Sequence, residues 1–389
     1  MFSAGAASAA RRIFSCQTCF WLCCSAALPC PARRIKEKPT LITDVRVSRL
    51  QATLTRGALS RILITGAAGF IGFSVARMLL SDRYRSMAPV VAGVDNVNDY
   101  YDVALKEARL GALGDDSRFT FHRMDIADHE AFAKLVADFR PDAVIHLAAQ
   151  AGVRYSLDNP FAYARSNLIG HLSVLEACRH ADPVPLLVYA SSSSVYGQNA
   201  KTPFSETDRV DEPVSLYAAT KRADELMSST YAHLYGLRQI GLRFFTVYGP
   251  WGRPDMAYWI FTEKIMRGEP IKVFNHGKLM RDFTYIDDVV EGVIACATEP
   301  ADLPQERPHR LFNIGNNRPV ALGDFIQTLE NVIGIEAKKE FLPMQPGDVP
   351  ATFADIDALE ATYGYRPQVV LPDGLARFVD WYRGYSGNA

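Results

Sequence analysis

The 389-residue sequence predicts an α/β protein, with a doubly wound parallel sheet followed by a smaller mixed α/β domain. Three observations support this fold class. From Arg61 onward, short apolar runs rich in β-branched residues alternate with longer segments of helical periodicity. After Phe245 the alternation stops, and residues 248–255 are rich in Gly, Pro and Trp. The composition, 48% hydrophobic and 22% charged, is typical of a globular protein and excludes a disordered or coiled-coil chain.

The alternating segments predict the order of the elements. Strands are predicted at residues 62–65, 90–95, 119–123, 143–146, 186–190 and 239–245. Helices are predicted at residues 70–80, 129–139, 161–179 and 216–235. We assign residues 61–245 to a domain built on the parallel sheet, and residues 246–385 to a domain that covers the carboxyl ends of its strands. A later strand near residues 310–314 can return to the first domain.

Residues 1–60 form a leader of different composition. Its cysteines, which are five of the seven in the chain, are Cys16, Cys19, Cys23, Cys24 and Cys30. Three interpretations stay open: a targeting peptide, a zinc site built from Cys16, Cys19, Cys23 and Cys24, or a disordered leader that arises from an upstream start codon. We exclude the leader from the fold and expect it to be disordered or removed.

Charge and cysteine content limit the partners. Lys and Arg number 42 against 43 Asp and Glu, so no nucleic acid is predicted as a partner. No apolar run reaches the roughly 20 residues that span a bilayer, so we expect no stable membrane span. Only Cys178 and Cys296 lie outside the leader, which favours a reducing compartment. We therefore expect a cytoplasmic protein, while the leader leaves organelle targeting or a membrane-associated start open.

A glycine-rich turn joins the first predicted strand to the first predicted helix. Gly66, Gly69 and Gly72 occupy it, and Phe70 and Ile71 begin the helix. In a Rossmann-type sheet the first glycine permits a tight turn, the second lets the backbone approach a pyrophosphate, and the third lets the helix pack on the strand. The unpaired N–H groups of the helix N-terminus favour an anion. The turn therefore predicts a dinucleotide site.

The ends of the next three strands supply further cofactor candidates. Asp95 ends the second strand, where a carboxylate can accept from both ribose hydroxyls and would repel a 2′-phosphate, which favours NAD over NADP. Asp125 and Ile126 follow the third strand and can meet the adenine, and Ala148 offers close packing after the fourth. The alternatives are a helix cap or turn for Asp95, a surface turn for Asp125 and Ile126, and an ordinary loop for Ala148.

A tyrosine and a lysine lie four residues apart at the start of a predicted helix and share one face of it. These are Tyr217 and Lys221. A free tyrosine has a pKa near 10, but an adjacent ammonium and a positive nicotinamide ring favour the phenolate. Such a phenolate can take a proton from a sugar hydroxyl as hydride leaves for the cofactor, and Lys221 can also hold the nicotinamide ribose. Chance spacing on an exposed helix is the alternative.

Four serines, residues 191–194, follow the fifth strand. Hydroxyl groups at the end of a buried strand need partners, and here they can donate to the reacting oxygen. A flexible turn is the alternative.

Together, the Gly-x-x-Gly-x-x-Gly turn, the Ser-rich strand end and the Tyr-x-x-x-Lys pair resemble the extended short-chain dehydrogenase/reductase family, and its nucleotide-sugar epimerases in particular. The resemblance covers residues from about 61 to 385. Segments 95–102, 243–256, 274–278, 281–288 and 344–350 extend it. It implies a Rossmann-type domain that holds NAD and a second domain that binds a UDP-sugar substrate.

The resemblance implies an isomerase that interconverts UDP-glucuronate and UDP-galacturonate. C4 of the sugar is oxidised, the 4-keto sugar rotates, and the same hydride returns to its other face. The 4-keto uronate is a β-keto acid that readily loses CO2, so its carboxylate must be held in an orientation poor for cleavage. By the same resemblance, Thr246 and Arg253 hold the carboxylate, and Ser192 and Ser193 contact the hydroxyls. For Arg253, an ion pair with Asp255 is the alternative.

Two more roles come from the resemblance. Arg281 pairs with the diphosphate and Phe245 packs near the nicotinamide. A surface salt bridge of Arg281 with Asp282 or Asp287 is the alternative.

Rival functions on the same fold stay open. They are a UDP-hexose 4-epimerase, a UDP-glucuronate decarboxylase and a non-catalytic nucleotide-binding regulatory protein. Ser194 stands where related decarboxylases and dehydratases carry an acid, which favours epimerisation, and Gln345 stands where hexose epimerases often carry an arginine. No metal-ligand spacing occurs in the folded region, so no metal is expected. We expect a homodimer in which helices 161–179 and 216–235 form a four-helix bundle, with burial inside one chain as the alternative.

Overall fold

A seven-stranded sheet forms the centre of the described structure. The computed structural model describes residues 60–298, 303–344 and 349–387. The strands of this sheet are β1 (Arg61–Thr65), β2 (Val90–Asp95), β3 (Phe119–Arg123), β4 (Ala143–His146), β5 (Leu186–Ser192), β6 (Gln239–Phe244) and β10 (His309–Ile314). Their order is β10–β6–β5–β4–β1–β2–β3, and every neighbouring pair is parallel. The predicted fold class is confirmed.

The helices pack on this sheet and around a smaller C-terminal part. They are α1 (Phe70–Leu80), α2 (Val103–Leu113), α3 (His129–Phe139), α4 (Tyr155–Asp158), α5 (Pro160–Tyr163), α6 (Gly170–His180), α7 (Leu216–Tyr235), α8 (Ala257–Met266), α9 (Ile286–Thr298), α10 (Leu322–Ile333), α11 (Asp357–Tyr363) and α12 (Leu371–Ser386). Helices α1, α3 and α7 have the predicted bounds. The single helix predicted at residues 161–179 was wrong in detail, because a π-helical segment, Ala164–Ile169, separates α5 from α6.

Both faces of the sheet are buried, which explains why its strands read as continuous apolar runs. In β1, Ile62 and Ile64 belong to one hydrophobic core, on the side of α1 and α9. Leu63 belongs to a second core, on the side of α3 and α6. Successive side chains of a strand point to opposite faces, so one strand supplies both cores.

The chain after β6 builds a small mixed sheet and then returns to the large one. The remaining strands are β7 (Thr246–Tyr248), β8 (Ile271–Phe274), β9 (Met280–Tyr285), β11 (Pro319–Ala321), β12 (Lys339–Leu342) and β13 (Ala351–Thr352). Strand β9 pairs with β7, β11 and β13, while β8 pairs with β12. Strand β10 lies beside β6 in the large sheet. The division into two domains at residue 245 stays a prediction.

Two of the sequence predictions concern residues that the structure does not describe. Residues 1–59 of the predicted leader and Gln345 lie outside the described residues. Within the described ranges, no helix is both long enough and apolar enough to cross a membrane. Cys178 and Cys296 are buried, and neither forms a disulfide among the residues that the structure describes.

Candidate active site

A cavity of about 500 Å³ opens at the carboxyl ends of the strands. All the residues predicted for the cofactor, the substrate and the chemistry lie on its wall. The wall includes Gly66, Gly69, Phe70, Ile71, Gly72, Asp95, Asp125, Ile126, Ala148, Ser192, Ser193, Tyr217, Lys221, Phe245, Thr246, Arg253 and Arg281. The strand order reverses direction between β1 and β4, and such switch points are where open α/β sheets bind ligands.

The glycine turn is packed too tightly for side chains at two of its positions. Gly66 has φ +75°, and a Cβ there would lie 2.7 Å from the backbone nitrogen of Ala148. A Cβ on Gly72 would lie 2.1 Å from the carbonyl oxygen of Gly66. Helix α1 begins directly after Gly69, and no side chain caps it. Its first N–H groups therefore have no hydrogen bond from a capping side chain.

The carboxylate of Asp95 lies beside this turn. Its Oδ2 accepts from the backbone N–H of Ala68 at 3.1 Å, and its Oδ1 accepts from Val97 at 2.8 Å. Asp95 therefore holds a turn, which was its alternative role, and also lines the cavity. The cap of the following helix is a different residue, Asp102, whose side chain accepts from Ala104 at 2.9 Å.

The predicted adenine contacts lie at the end of β3. Asp125 is an ion-pair partner of Arg165, with Nε and Oδ2 3.1 Å apart, and also accepts from the N–H of Ala127 at 2.9 Å. Ile126 is buried against α6, where its side chain would meet a Cβ on Gly170. Asp125 thus forms the surface turn given as the alternative and still lines the cavity.

Helix α7 presents Tyr217 in its first turn. Ser215 caps the helix, because its Oγ accepts from the N–H of Ala218 at 3.1 Å. Tyr217 is half-buried, and its ring lies edge-on to that of Tyr163, with centroids 6.1 Å apart. The cap fixes where the helix starts and so fixes the place of Tyr217 on the cavity wall.

Lys221 lies one turn further along α7. Its side chain is 3% exposed, and Nζ donates to the carbonyl of Ala190 at 3.0 Å and to Oδ2 of Asp224 at 3.1 Å. An ammonium has three donors, so one is left for another acceptor. Burial raises the pKa of Asp224 to about 7, although Lys221 acts in the opposite direction.

All four serines of the run line the cavity. Ser191 is buried, and its hydroxyl donates to Glu225 at 2.6 Å. Ser192 accepts from the backbone N–H of Ser194 at 3.2 Å and from its hydroxyl at 2.9 Å. Ser192 and Ser193 are half-buried, and their contacts with the sugar stay a prediction.

The predicted substrate groups lie around β7. Thr246 begins that strand, and Phe245, just before it, is 6% exposed. Arg253 forms an ion pair with Asp255, in which Nε lies 3.0 Å from Oδ1. The ion pair with Asp255, which was the alternative for Arg253, is thus observed, and Arg253 also lines the cavity. Arg281 donates from Nη1 to the carbonyl of Val349 at 2.9 Å.

Sequence reasoning missed Asn167, which lies in the π-helical segment and is 1% exposed. Its Oδ1 accepts from the N–H of Gln150 at 2.8 Å, and its Nδ2 donates to Thr220 Oγ1 at 2.9 Å. It therefore joins the loop after β4 to the segment between Tyr217 and Lys221. An asparagine inside a predicted helix was the only signal in the sequence, and it gives no partner.

The comparison with protein families decides the assignment. Residues 62–315 match the model of the NAD dependent epimerase/dehydratase family. The chain belongs to this family. Protein CapI of Staphylococcus aureus is 48% identical, over 84% of this chain and 99% of CapI. UDP-glucuronate 4-epimerase 2 of Arabidopsis thaliana is 46% identical, over 88% of this chain and 80% of that protein.

A solved structure of a family member shares the fold. The crystal structure of UDP-glucuronic acid 4-epimerase from Bacillus cereus, in complex with UDP-glucuronic acid and NAD, matches with a TM-score of 0.76 and 35% identity. The match covers 84% of this chain and 99% of that chain. The predictions of the family and of an NAD-dependent enzyme are confirmed.

The residues present fit the cofactor of the epimerase/dehydratase family. Gly66 and Gly72 let the turn pack closely against the loop after β4 and against the start of α1. The uncapped start of α1 lies on the cavity wall, where it suits a pyrophosphate. Asp95 lies on the same cavity wall.

Proposed function

We propose that the protein interconverts UDP-glucuronate and UDP-galacturonate by inverting the configuration at C4. The observation that carries this proposal is that one cavity holds both the Tyr217–Lys221 pair and the Thr246–Arg253 pair. The first pair suits proton transfer at a carbinol, and the second suits a carboxylate. Curated relatives named UDP-glucuronate 4-epimerase, at 46% identity, support it.

Oxidation begins at the C4 hydroxyl. Tyr217, as the phenolate, takes the proton from O4, while Ser192 donates a hydrogen bond to that oxygen. Lys221 stabilises the phenolate electrostatically from its buried position and holds the ribose of the cofactor with its remaining donor. NAD, when bound, would supply the hydride chemistry, as acceptor of the C4 hydride and then as its donor to the opposite face. The C4–H bond breaks as the C4=O bond forms.

Reduction reverses these steps after the sugar has turned. Tyr217 returns its proton to O4, so the cycle consumes neither cofactor nor proton. During the interval the sugar is a β-keto acid, and cleavage of its C5–C6 bond is easiest when that bond is perpendicular to the plane of the carbonyl. The hydroxyl of Thr246 and the fork of Arg253 hold the carboxylate away from that orientation. Ser193 contacts a sugar hydroxyl.

The remaining site residues hold the rest of the two ligands. For the cofactor we propose Gly66, Gly69, Phe70, Ile71 and Gly72 at the pyrophosphate, Asp95 at the ribose, Asp125 and Ile126 at the adenine, and Ala148 and Phe245 beside the nicotinamide half. Arg281 would pair with the diphosphate of the UDP-sugar. No acid stands at Ser194, so a base for deprotonation at C5 is lacking there, which disfavours dehydration.

We also propose a homodimer in a reducing compartment such as the cytoplasm. The helices predicted to pair leave large apolar side chains in solvent: Phe161 is 83% exposed, Leu226 53% and Leu234 58%. An apolar face of this kind is typical of a subunit interface. Light scattering of the wild type and of Leu226→Glu checks the dimer, because a charge in the bundle should give monomers. Within the described residues no disulfide is present, which suits a reducing compartment.

The decisive experiment is incubation of the purified chain with UDP-glucuronate. We expect UDP-galacturonate to form without consumption of added NAD and without CO2, as followed by NMR and anion-exchange chromatography. Release of CO2 as the main outcome, or turnover of UDP-glucose alone, would contradict the proposal. No turnover of any UDP-sugar would favour a non-catalytic role.

A further inference from the structure

Arg109 is a buried arginine outside the cavity wall to which the mechanism gives no role. It lies in α2 and is 0% exposed. Its Nη1 donates to the carbonyl of Ala68 at 2.9 Å and to the hydroxyl of Tyr101 at 2.6 Å. Its Nε and Nη2 donate to the carbonyl of Trp251 at 3.1 and 2.7 Å, and Nη2 also donates to the carbonyl of Gly252 at 2.8 Å.

All these acceptors are uncharged oxygens. A buried guanidinium is costly unless its donors are satisfied, and here backbone carbonyls replace its hydration. Because the guanidinium is planar and rigid, its acceptors must keep fixed relative positions. Arg109 therefore imposes a geometry on the two segments that it joins.

One of these segments is the glycine turn. Ala68 lies between Gly66 and Gly69, and its N–H donates to Asp95 while its carbonyl accepts from Arg109. Both backbone polar groups of Ala68 are thus held, one by the carboxylate assigned to the ribose and one by the buried cation.

The other segment is the loop that carries Arg253. Trp251 has φ +64°, a strained value for a tryptophan, and Gly252 would place a Cβ 2.0 Å from the hydroxyl of Tyr258. The N–H of Arg253 donates to that hydroxyl at 3.1 Å. The backbone before Arg253 is therefore pinned by Arg109 on one side and by Tyr258 on the other.

The side chain of Arg253 is held separately. Its guanidinium pairs with Asp255, and the hydroxyl of Tyr100 donates to Asp255 Oδ2 at 3.0 Å. Tyr100 precedes Tyr101, the hydroxyl partner of Arg109. The loop after β2 thus contacts Arg109, which holds the backbone before Arg253, and Asp255, which holds the Arg253 side chain.

We propose that Arg109 is a positioning residue that fixes the Arg253 loop relative to the glycine turn and so keeps the substrate carboxylate out of the orientation for CO2 loss. This inference rests on the proposed role of Arg253. It deepens that role by assigning the control of the reaction outcome to a residue that touches neither ligand.

The failure that Arg109 prevents has a defined chemistry. When the C5–C6 bond of the 4-keto uronate breaks, CO2 leaves, and the electron pair of that bond forms an enolate over C5, C4 and O4. The enolate takes a proton from water at C5 and gives a 4-ketopentose. The hydride removed from C4 stays with the cofactor, so each failed turnover releases one CO2 and leaves one reduced cofactor.

The test is Arg109→Lys, which keeps the charge but cannot span the acceptors on both segments. The fraction of turnovers that end in CO2 should rise about tenfold, since a displacement of about 1 Å at a reacting group changes rates by up to about a hundredfold. Labelled CO2 and absorbance at 340 nm measure it. The matched control is Arg118→Lys, because Arg118 donates to the carbonyl of Leu80 at the far end of α1 and should leave the fraction unchanged.

A milder variant keeps the inference open to refutation if Arg109→Lys does not fold. Tyr101→Phe removes one acceptor of Arg109 and should raise the CO2 fraction by a smaller factor. A folded Arg109→Lys enzyme with the wild-type CO2 fraction would overturn the inference, and so would an unchanged Tyr101→Phe if the first variant is unfolded. If the wild type forms no UDP-galacturonate, the proposed function fails and the inference falls with it.

Discussion

At the scale of single residues, the charge near Tyr217 is set by a buried pair. Burial raises the pKa of Asp224, whose Oδ2 lies 3.1 Å from Lys221 Nζ, so this carboxyl group gives up its proton less readily than an exposed one. Both side chains are almost fully buried, and charges interact more strongly there than in water.

Replacing Tyr217 by phenylalanine tests the proton acceptor. Tyr217→Phe should lower kcat by at least about a hundredfold, because the acid–base group is lost while the ring packing stays. The NAD released on denaturation should match the wild type. Tyr235→Phe is the control, since Tyr235 lies at the other end of α7 and is 50% exposed. Wild-type turnover by Tyr217→Phe would remove Tyr217 from the mechanism.

Replacing Asp95 by asparagine tests the cofactor preference. The variant keeps one side-chain acceptor and loses the negative charge, so NAD should bind about tenfold more weakly and the discrimination against NADP should shrink. Titration calorimetry with both dinucleotides measures the two Kd values. Asp138→Asn, on the exposed surface of α3, is the control. Tighter binding of NADP than NAD by the wild type would be incompatible with the role of Asp95.

Residues that act through local spacing could be predicted from the sequence, and those that act through distant contacts could not. Gly66, Tyr217 and Lys221 belong to short motifs whose chemistry depends on neighbours in the chain. Arg109 finds its acceptor Trp251 at a separation of 142 residues, and no periodicity encodes that contact. Asn167 was missed for the same reason.

At the scale of elements, helix α1 can pack closely against the glycine turn because Gly72 has no side chain. In an open helix, alanine is favoured over glycine by about 0.5–1 kcal/mol. Here the added Cβ would meet the carbonyl oxygen of Gly66, so the helix would have to move away from the turn.

Gly72→Ala should therefore lower the free energy of unfolding by about 1–3 kcal/mol and weaken NAD binding, because the helix start shifts. Chemical denaturation and NAD titration measure both. Gly111→Ala in α2 is the matched control, since nothing lies within 4 Å of a Cβ there, and it should be neutral or stabilising. Similar effects of the two substitutions would contradict this account of α1.

Element bounds were predictable where a cap or strong periodicity defines them. Helix α7 begins after the Ser215 cap and ends at Gly236, which has φ +67°. The π-helical segment between α5 and α6 was not predictable, since Asn167 within it bonds to Gln150 and Thr220, which lie in other parts of the chain. Helix α2 was missed altogether, although Asp102 caps it.

At the scale of the whole molecule, two buried histidines and one half-buried histidine make stability depend on pH. Burial lowers the pKa of His146 to about 3 and that of His309 to about 4, and it lowers the pKa of His171 well below 6.5. Hydrogen bonds connect them to Thr65, Tyr189 and Ser228. The folded chain therefore keeps them neutral under conditions in which an unfolded chain takes up protons.

The free energy of unfolding should fall as the pH falls from about 6.5 toward 4. Each folded pKa is depressed, so the stabilisation is complete above the unfolded pKa and is lost on acidification, by about 1.4 kcal/mol per pH unit for each histidine. Denaturation curves at several pH values measure the slope. His309→Gln, which can keep a hydrogen bond to Tyr189, should reduce the slope by about that amount. An unchanged slope would show that His309 has the same pKa in the folded and the unfolded chain.

The position of β10 beside β6 has a consequence for how the polypeptide is made. The last ladder of the large sheet closes only after residue 314 has left the ribosome, long after β6 has been synthesised. Until then β6 is an open edge whose backbone groups can recruit another nascent copy. A fragment that stops at residue 245 should for this reason aggregate, and deletion studies that aim to keep the nucleotide half alone need to retain residues 309–314 as well.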